Sequence, residues 1–457
     1  MSSFVKKISL AVGNRAAGLL ISLRLYRLLA AWLSSGVREW LPDGRMVRFR
    51  RNRRPGLPLV LVLQADRTPA DFRVLAQSPG LRVLSLNEPW LSWIAYRFLP
   101  PGLGFSFYVV HEPIEPVRVG RAQLRAFLLK LLPHFYRHVP ATVLVRTDIK
   151  MQSDLDWCGV SAAFGMPYVV LQRENLVAPG RAVKFRDRDA ATLFEGHHII
   201  TYGHPMREHY IRTGVAGADQ VSALGCMRMD ALFERLRNTP QVTYSNRVTL
   251  FAIEPDIFRH RGPELEAMYR DLHAELFSFA RDHAEVELVV KLKKQRAKGR
   301  YVDNIRERIL AVAKTEGIDA SLLPNVTFTT EGDAQDQILN SNAVISMNST
   351  TVMEAAVAGR PVIMPVFESM RTPDYIAEID FAEDLAAFDV PRDRGELRLM
   401  LERRLADTCI APEMMERRMQ LFERYFGSRN GNARERIVKK LIEVAGAVRR
   451  SSGPVPS

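Results

Sequence analysis

The residues best suited to chemistry lie in one run, AVISMNSTTVMEAAVAGRPVIMPV over positions 343–366. Ala343 to Ser346 reads as a buried strand, and Asn348, Ser349, Thr350 and Thr351 as a polar turn. Val352 to Ala358 reads as a helix ended by Gly359, and Pro361 to Val366 as the next strand. Four consecutive small polar residues at a helix start offer backbone and side-chain donors where the helix dipole is positive, which suits phosphate oxygens. Glu354, one turn into the helix, is placed to accept from ribose hydroxyls. The same residue types serve an ordinary helix N-cap, so spacing alone leaves both readings open.

Such a junction works only at the carboxyl end of a strand in an open sheet, so the surrounding elements decide its meaning. From Pro58 the chain alternates short apolar runs with helical stretches. The runs are LVLVLQAD (59–66), LRVLSLN (81–87), ATVLVRTD (141–148), PYVVLQREN (167–175) and HHIITYG (197–203). Buried parallel strands read this way. The pattern restarts at RVTLFAIE (247–254), VELVVKLK (286–293) and NVTFTT (325–330), with helices expected over 263–283 and 302–316. Strand–helix–strand order implies right-handed crossovers and two doubly wound α/β domains. The expected boundaries are 55–240 and 241–410, with LGCMRMDALFERLRNTPQ (224–241) as the hinge region. Helices follow over 411–450, interrupted at GSRNGNA (427–433), and then a disordered tail over 451–457.

The chain has 457 residues and 47% hydrophobic composition, enough for two cores. Its three cysteines form no CxxC pair, which removes a disulfide framework or a zinc ribbon and favours a reducing cytoplasm. The ten histidines show no HExxH spacing, and no DxD pair ends a strand in the second half, so no metal site is expected. The net charge of +13 is concentrated: residues 1–54 hold twelve Lys or Arg against Glu39 and Asp43, a local +10. With the basic charge confined to one end and no accompanying motif, nucleic acid is not the expected partner. Leu19, Leu23, Tyr26, Ala30 and Leu33 fall on one side of a helix, with Trp32 and Trp40 nearby. Arginines interrupt the segment, so it neither spans a bilayer nor forms a signal peptide. Residues 1–54 are therefore read as a basic amphipathic segment docking on the anionic cytoplasmic leaflet of the inner membrane, the alternative being a helix packed on the protein's own body.

The strand, the NST turn and the EAAVAGRPVI helix–strand sequel are similar to the donor-binding motif of GT-B glycosyltransferases, especially bacterial capsule and surface-polysaccharide transferases. UDP-N-acetylglucosamine 2-epimerases and CDP-glycerol glycerophosphotransferases resemble it more distantly. LGCMRMDAL (224–232), VVKLKK (289–294) and RYFGSRNGNARERIVKKLIEV (424–444) extend the resemblance over residues 140–445. It implies two Rossmann-like domains and a transferase, which the absence of a DxD pair at a strand end leads us to expect to be metal-independent. The substrates would be a nucleotide-sugar and a membrane-linked or surface glycan acceptor, with no cofactor. Lys291 would be the donor-facing lysine, although the relatives commonly continue into a His-Pro pair where this chain has Lys293 and Lys294. Glu331 either faces the nucleotide or belongs to the N-cap before Ala334. On the acceptor side the resemblance points to Arg173, Glu174 and Asn175, with Glu174 as general base and Asp148 as second choice. An epimerase, a glycerophosphotransferase and a non-catalytic subunit of an export complex are the competing readings.

Overall fold

The computed structural model describes residues 15, 18–65, 69–100, 114–149, 152–173, 175–190, 192, 194–238, 246–255, 258, 260, 262–293 and 300–451. The chain forms two compact units. Unit 1 draws on Met1–Asn175, Arg186–Asp230 and Asn430–Ser457, and unit 2 on Leu176–Phe185 and Ala231–Arg429.

Unit 1 opens with α1 (Tyr26–Ser35), β1 (Arg38–Trp40), β2 (Met46–Arg48), β3 (Leu59–Leu63), α2 (Pro69–Ala76), β4 (Arg82–Leu86) and α3 (Glu88–Ala95). It continues through α4 (Glu115–His138), β5 (Val143–Arg146), α5 (Gln152–Ala162), β6 (Tyr168–Leu171), α6 (Pro179–Ala190), β7 (His198–Thr201), α7 (His204–Arg212) and β8 (Val221–Ala223) to α8 (Met227–Asn238); α6 up to Phe185 and α8 from Ala231 onward belong to unit 2. The sheet order is β2-β1-β4-β3-β5-β6-β7-β8. From β4 to β8 every pairing is parallel, and β1 is antiparallel to both neighbours. Strands β3 to β7 are buried throughout, as their continuous apolar sequences require for a sheet covered on both faces.

Unit 2 runs β9 (Arg247–Phe251), α9 (Pro263–Asp282), β10 (Glu287–Lys291), α10 (Arg300–Thr315), β11 (Val326–Thr329), α11 (Ala334–Leu339), β12 (Ala343–Ile345), α12 (Thr350–Val357) and β13 (Val362–Ile363). After these come α13 (Pro373–Ile376), α14 (Arg394–Ala406) and α15 (Pro412–Phe426), and the last helix among the described residues is α16 (Ala433–Ser451), the tail expected over 451–457 lying outside them but for Ser451. The sheet is wholly parallel in the order β11-β10-β9-β12-β13. The two doubly wound α/β domains are those expected.

Two segments differ from the sequence reading. Residues 1–54, expected as a separate docking arm, contribute β1 and β2 to the sheet. The cause is Glu39, fully buried on β1. It accepts from Arg82 at 2.9 and 3.0 Å and from Arg53 at 3.1 Å, while Arg82 also donates to the carbonyls of Arg50 (2.8 Å) and Arg51 (3.1 Å). A carboxylate taken out of water needs several such donors, so part of the basic run folds onto the body to supply them. Helix α1 likewise buries Leu29, Ala30 and Leu33. Tyr26 lies 5.2 Å, ring to ring, from Phe127 on α4. Burial of each leucine stabilises by roughly 2 kcal/mol.

The second difference is at the carboxy terminus, where the two helices expected on either side of 427–433 form but do not share one unit. Helix α15 belongs to unit 2, whereas α16 belongs to unit 1. The first N–H groups of α16, those of Ala433 and Arg434, donate to Asp230 at 3.2 and 2.7 Å. A carboxylate there satisfies donors that have no partner within the helix.

Candidate functional site

In unit 2 the chain builds β10 and β11 on one side of β9 and then crosses to place β12 on the other. The loops leaving the carboxyl ends of β9 and β12 therefore run to opposite faces and leave a crevice between them, the place where open α/β sheets bind ligands. The 343–366 run supplies the second of these loops.

Strand β12 ends at Ile345, and Asn348 takes a left-handed conformation with φ 53°. Asn is among the few residues other than glycine that tolerate this. Its side chain fixes the turn, donating to the Glu378 carbonyl at 3.0 Å and accepting from the Asp380 N–H at 2.8 Å. Ser349 is the N-cap of α12, and its hydroxyl accepts from the Thr351 N–H at 3.3 Å. The Thr351 hydroxyl bonds Ser349 Oγ at 2.9 Å and shares 2.8 Å with Ser346 Oγ, so it braces the loop from beneath. Thr350 Oγ1 donates to Glu354 Oε1 at 3.1 Å, and Glu354 is buried. Helix α12 ends where expected: Gly359 has φ 70°, and the Arg360 N–H returns to the Ala355 carbonyl at 3.0 Å. Arg360 is also structural, buried and donating to the Leu339 carbonyl at 2.7 Å.

Among the expected donor-binding residues, then, Asn348 and Thr351 turn their polar atoms into the protein and hold the loop, while Ser349 and Thr350 stand half-buried at the helix start. What this geometry presents is a helix amino terminus opening at the sheet's switch point, equipped for an anion. Lys291 ends β10, buried, with its ammonium donating to the Glu331 carbonyl at 3.0 Å. One strand, β9, separates it from β12, a spacing of about 10 Å between backbones. Glu331 has an exposed side chain, and the N-cap of α11 is Asp333, which accepts from the Gln335 N–H at 2.8 Å.

The loop after β9 adds a residue that the sequence reading passed over. His260 Nε2 stands 3.7 Å from Glu378 Oε1, and Glu378 is buried beside the Asn348 turn. Tyr375, 6.4 Å from the His260 ring, donates to Glu264 at 3.4 Å. Burial, then the Glu264 carboxylate, raises the Tyr375 phenol above its ordinary range. The available signal was HRGPEL, a histidine just before a Gly-Pro helix start after a strand.

In unit 1 the corresponding switch lies between β3 and β5. Asp148 follows β5 there and is buried. Gln64, at the end of β3, is left-handed with φ 59°, fully buried, and donates to Ser153 Oγ at 2.9 Å. The residues after β6 are joined by hydrogen bonds. Gln172 Oε1 accepts from the Ile149 N–H at 3.2 Å, the Arg173 N–H donates to the Thr147 carbonyl at 3.2 Å, and Asn175 accepts from the Tyr202 N–H at 2.9 Å. Asn175 also donates to the Gln172 carbonyl. Glu174 lies outside the described residues. Near this edge is Asp71, unremarked in the sequence, which lines a small recess with Gln172, Tyr202 and Met227. Burial raises its carboxyl pKa against the opposing pull of Arg228, 2.9 Å away, and Arg173.

No protein-family model matches the chain, and no curated protein sequence matches it. Among solved structures it is similar to a putative UDP-N-acetylglucosamine 2-epimerase from Listeria monocytogenes, at 14% identity and a TM-score of 0.49, covering 88% of this chain and 99% of the other. Another is the UDP-GlcNAc 2-epimerase from Neisseria meningitidis bound to UDP-GlcNAc, at 12% identity and TM-score 0.47, covering 85% and 100%. A third is a UDP-forming alpha,alpha-trehalose-phosphate synthase from Burkholderia vietnamiensis, at 12% identity and TM-score 0.49, covering 85% and 100%.

Proposed function

We propose that this chain is a nucleotide-sugar enzyme of the GT-B class, and within that class a glycosyltransferase that moves a sugar to a membrane-linked or surface-polysaccharide acceptor. The observation that carries the reading is the Asn348–Glu354 junction, a helix start held open at the switch point of unit 2. In this reading the backbone N–H groups of Ser349 and Thr350 receive phosphate oxygens of the nucleotide, with the dipole of α12 behind them. Lys291 adds positive potential from its buried position near the same edge of the sheet, and His260, on the loop after β9, is assigned a ligand contact. Glu354 accepts from the Thr350 hydroxyl, which fixes that side chain at the helix start, and is assigned the ribose hydroxyls as its further donors.

The leaving group is the nucleotide phosphate, and stabilising its growing charge is the main catalytic task. Unit 1 is assigned the acceptor, with Arg173 and Asn175 on its binding side. Glu174 and Asp148 are the candidates for taking the acceptor hydroxyl's proton as the new bond forms. No metal is required in this scheme, so activity should survive EDTA.

The experiment is to incubate full-length protein with a panel of nucleotide-sugars, with and without a lipid-linked glycan extract, and to analyse products by mass spectrometry and NMR. Acceptor-dependent release of free nucleotide supports transfer. Conversion of the nucleotide-sugar into an isomer without acceptor would establish the epimerase alternative. Binding without turnover under all conditions would favour a non-catalytic subunit.

A further inference from the structure

The amino-terminal stripe does not bury as a unit. Leu29, Ala30 and Leu33 pack inward, but Leu19, Leu23, Leu25 and Leu28 remain 61, 57, 39 and 59% exposed. Arg24, with φ 53°, breaks the helical path between the first two leucines and the last two, so both pairs stand at the surface on either side of a tight turn. Exposed leucines elsewhere, such as Leu322 and Leu399, stand singly, whereas these four fall within ten consecutive residues. Scattered apolar residues are ordinary on a surface, but a contiguous patch marks an interaction site.

The setting of the patch identifies its partner. From Arg15 to Arg38 the sequence has no Asp or Glu, and Arg15, Arg24 and Arg27 are exposed beside the leucines. On α4, Lys130 and Arg137 are exposed as well. Burial, then the charges of Arg137, Arg27 and His138, lower the pKa of His134, which places the Arg27 and α4 cations in one electrostatic neighbourhood. Among the described residues no helix is long and apolar enough to cross a membrane. Leucines flanked by cations, in a segment that from Arg15 to Arg38 carries no acid, match the boundary between lipid headgroups and acyl chains.

We propose that the surface formed by Leu19, Leu23, Leu25 and Leu28 with Arg24 and Arg27 docks on an anionic lipid bilayer, the leucines entering the interface and the arginines meeting the phosphates. This surface is carried wholly by unit 1 and does not depend on which reaction the chain performs. Failure of nucleotide binding would leave it standing.

The test is flotation of the full-length protein with phosphatidylcholine vesicles, with and without phosphatidylglycerol. The wild-type protein should float with the anionic vesicles, less so at high salt as the charges are screened. Both Leu19→Glu/Leu23→Glu and Arg24→Glu/Arg27→Glu should weaken that binding by roughly tenfold or more. Leu399→Glu, an equally exposed leucine on unit 2, should float as the wild type does. Because all the substituted side chains are exposed, unchanged thermal melts would show that the fold is intact. Equal flotation of the leucine variant and the wild type would overturn the proposal, as would equal binding to neutral vesicles. It would also fall if the wild type stayed unbound and instead dimerised through these leucines, seen by light scattering as an association lost in Leu19→Glu/Leu23→Glu.

Discussion

At the scale of single residues, the proposed donor site separates side chains that hold the loop from groups left to meet a ligand. Asn348 is the clearest holder, combining a left-handed backbone with two hydrogen bonds to the 378–380 segment. Asn348→Ala should lower stability by about 2–3 kcal/mol, adding the cost of a left-handed alanine to the lost bonds. Asn348→Gly should recover only the backbone part. Denaturant melts of the two variants would separate the contributions, and equal losses would mean that the backbone carries no strain. His260 is assigned the opposite role, facing a ligand. His260→Ala should raise the KM for the nucleotide-sugar several-fold with little change in melting temperature, and an unchanged KM would remove it from the site.

A second residue-scale prediction concerns acid. His273 is fully buried on α9, and its burial lowers the pKa to about 4; its Nδ1 lies 2.7 Å from the Tyr269 carbonyl. A depressed histidine binds fewer protons folded than unfolded, so its stability contribution is complete above the unfolded pKa near 6.5 and is lost as pH falls towards 4. The contribution at neutral pH is up to about 3 kcal/mol. His273→Leu should flatten the fall in unfolding free energy between neutral pH and about pH 4.5. An equally steep fall in the variant would show that other groups dominate the acid response.

At the scale of elements, the buried Glu39–Arg82 pair ties β1 to β4 and draws Arg50, Arg51 and Arg53 onto the sheet. Removing one partner leaves the other charge uncompensated, so Glu39→Gln should destabilise by about 3–5 kcal/mol. Urea unfolding measures this, and a loss under about 1 kcal/mol would mean that water already reaches the pair.

Ten of the thirteen strands among the described residues were legible as apolar runs bounded by turn residues. The strands missed were β1, β2 and β8, only three residues each. REW and MVR carry charges that pattern reading assigns to solvent, and the burial of Glu39 is explained by partners distant in sequence, Arg82 and Arg53. The turn and helix of 346–359 were legible because N-cap chemistry and a terminal glycine are local signals. Glu378 and Asp71 were not, since nothing in their immediate neighbours tells that folding brings them beside a loop or an arginine distant in sequence, and the HRGPEL signal does not tell that His260 meets Glu378.

At the scale of the whole molecule, each unit has its own switch point, and the donor assignment rests on unit 2 alone. That makes its central claim, nucleotide phosphate at the start of α12, separable from both the acceptor chemistry and the membrane. The direct measurement is calorimetric titration of wild type and Ser349→Asp with nucleoside diphosphates and nucleotide-sugars. Asp is as good an N-cap as Ser, so the variant should keep or slightly raise thermal stability. Its carboxylate would, however, stand where the phosphate should sit. The account predicts saturable binding of at least one nucleotide to the wild type and a loss of tenfold or more, about 1.4 kcal/mol, in Ser349→Asp. Equal affinity in the two proteins, with the variant folded, would contradict it.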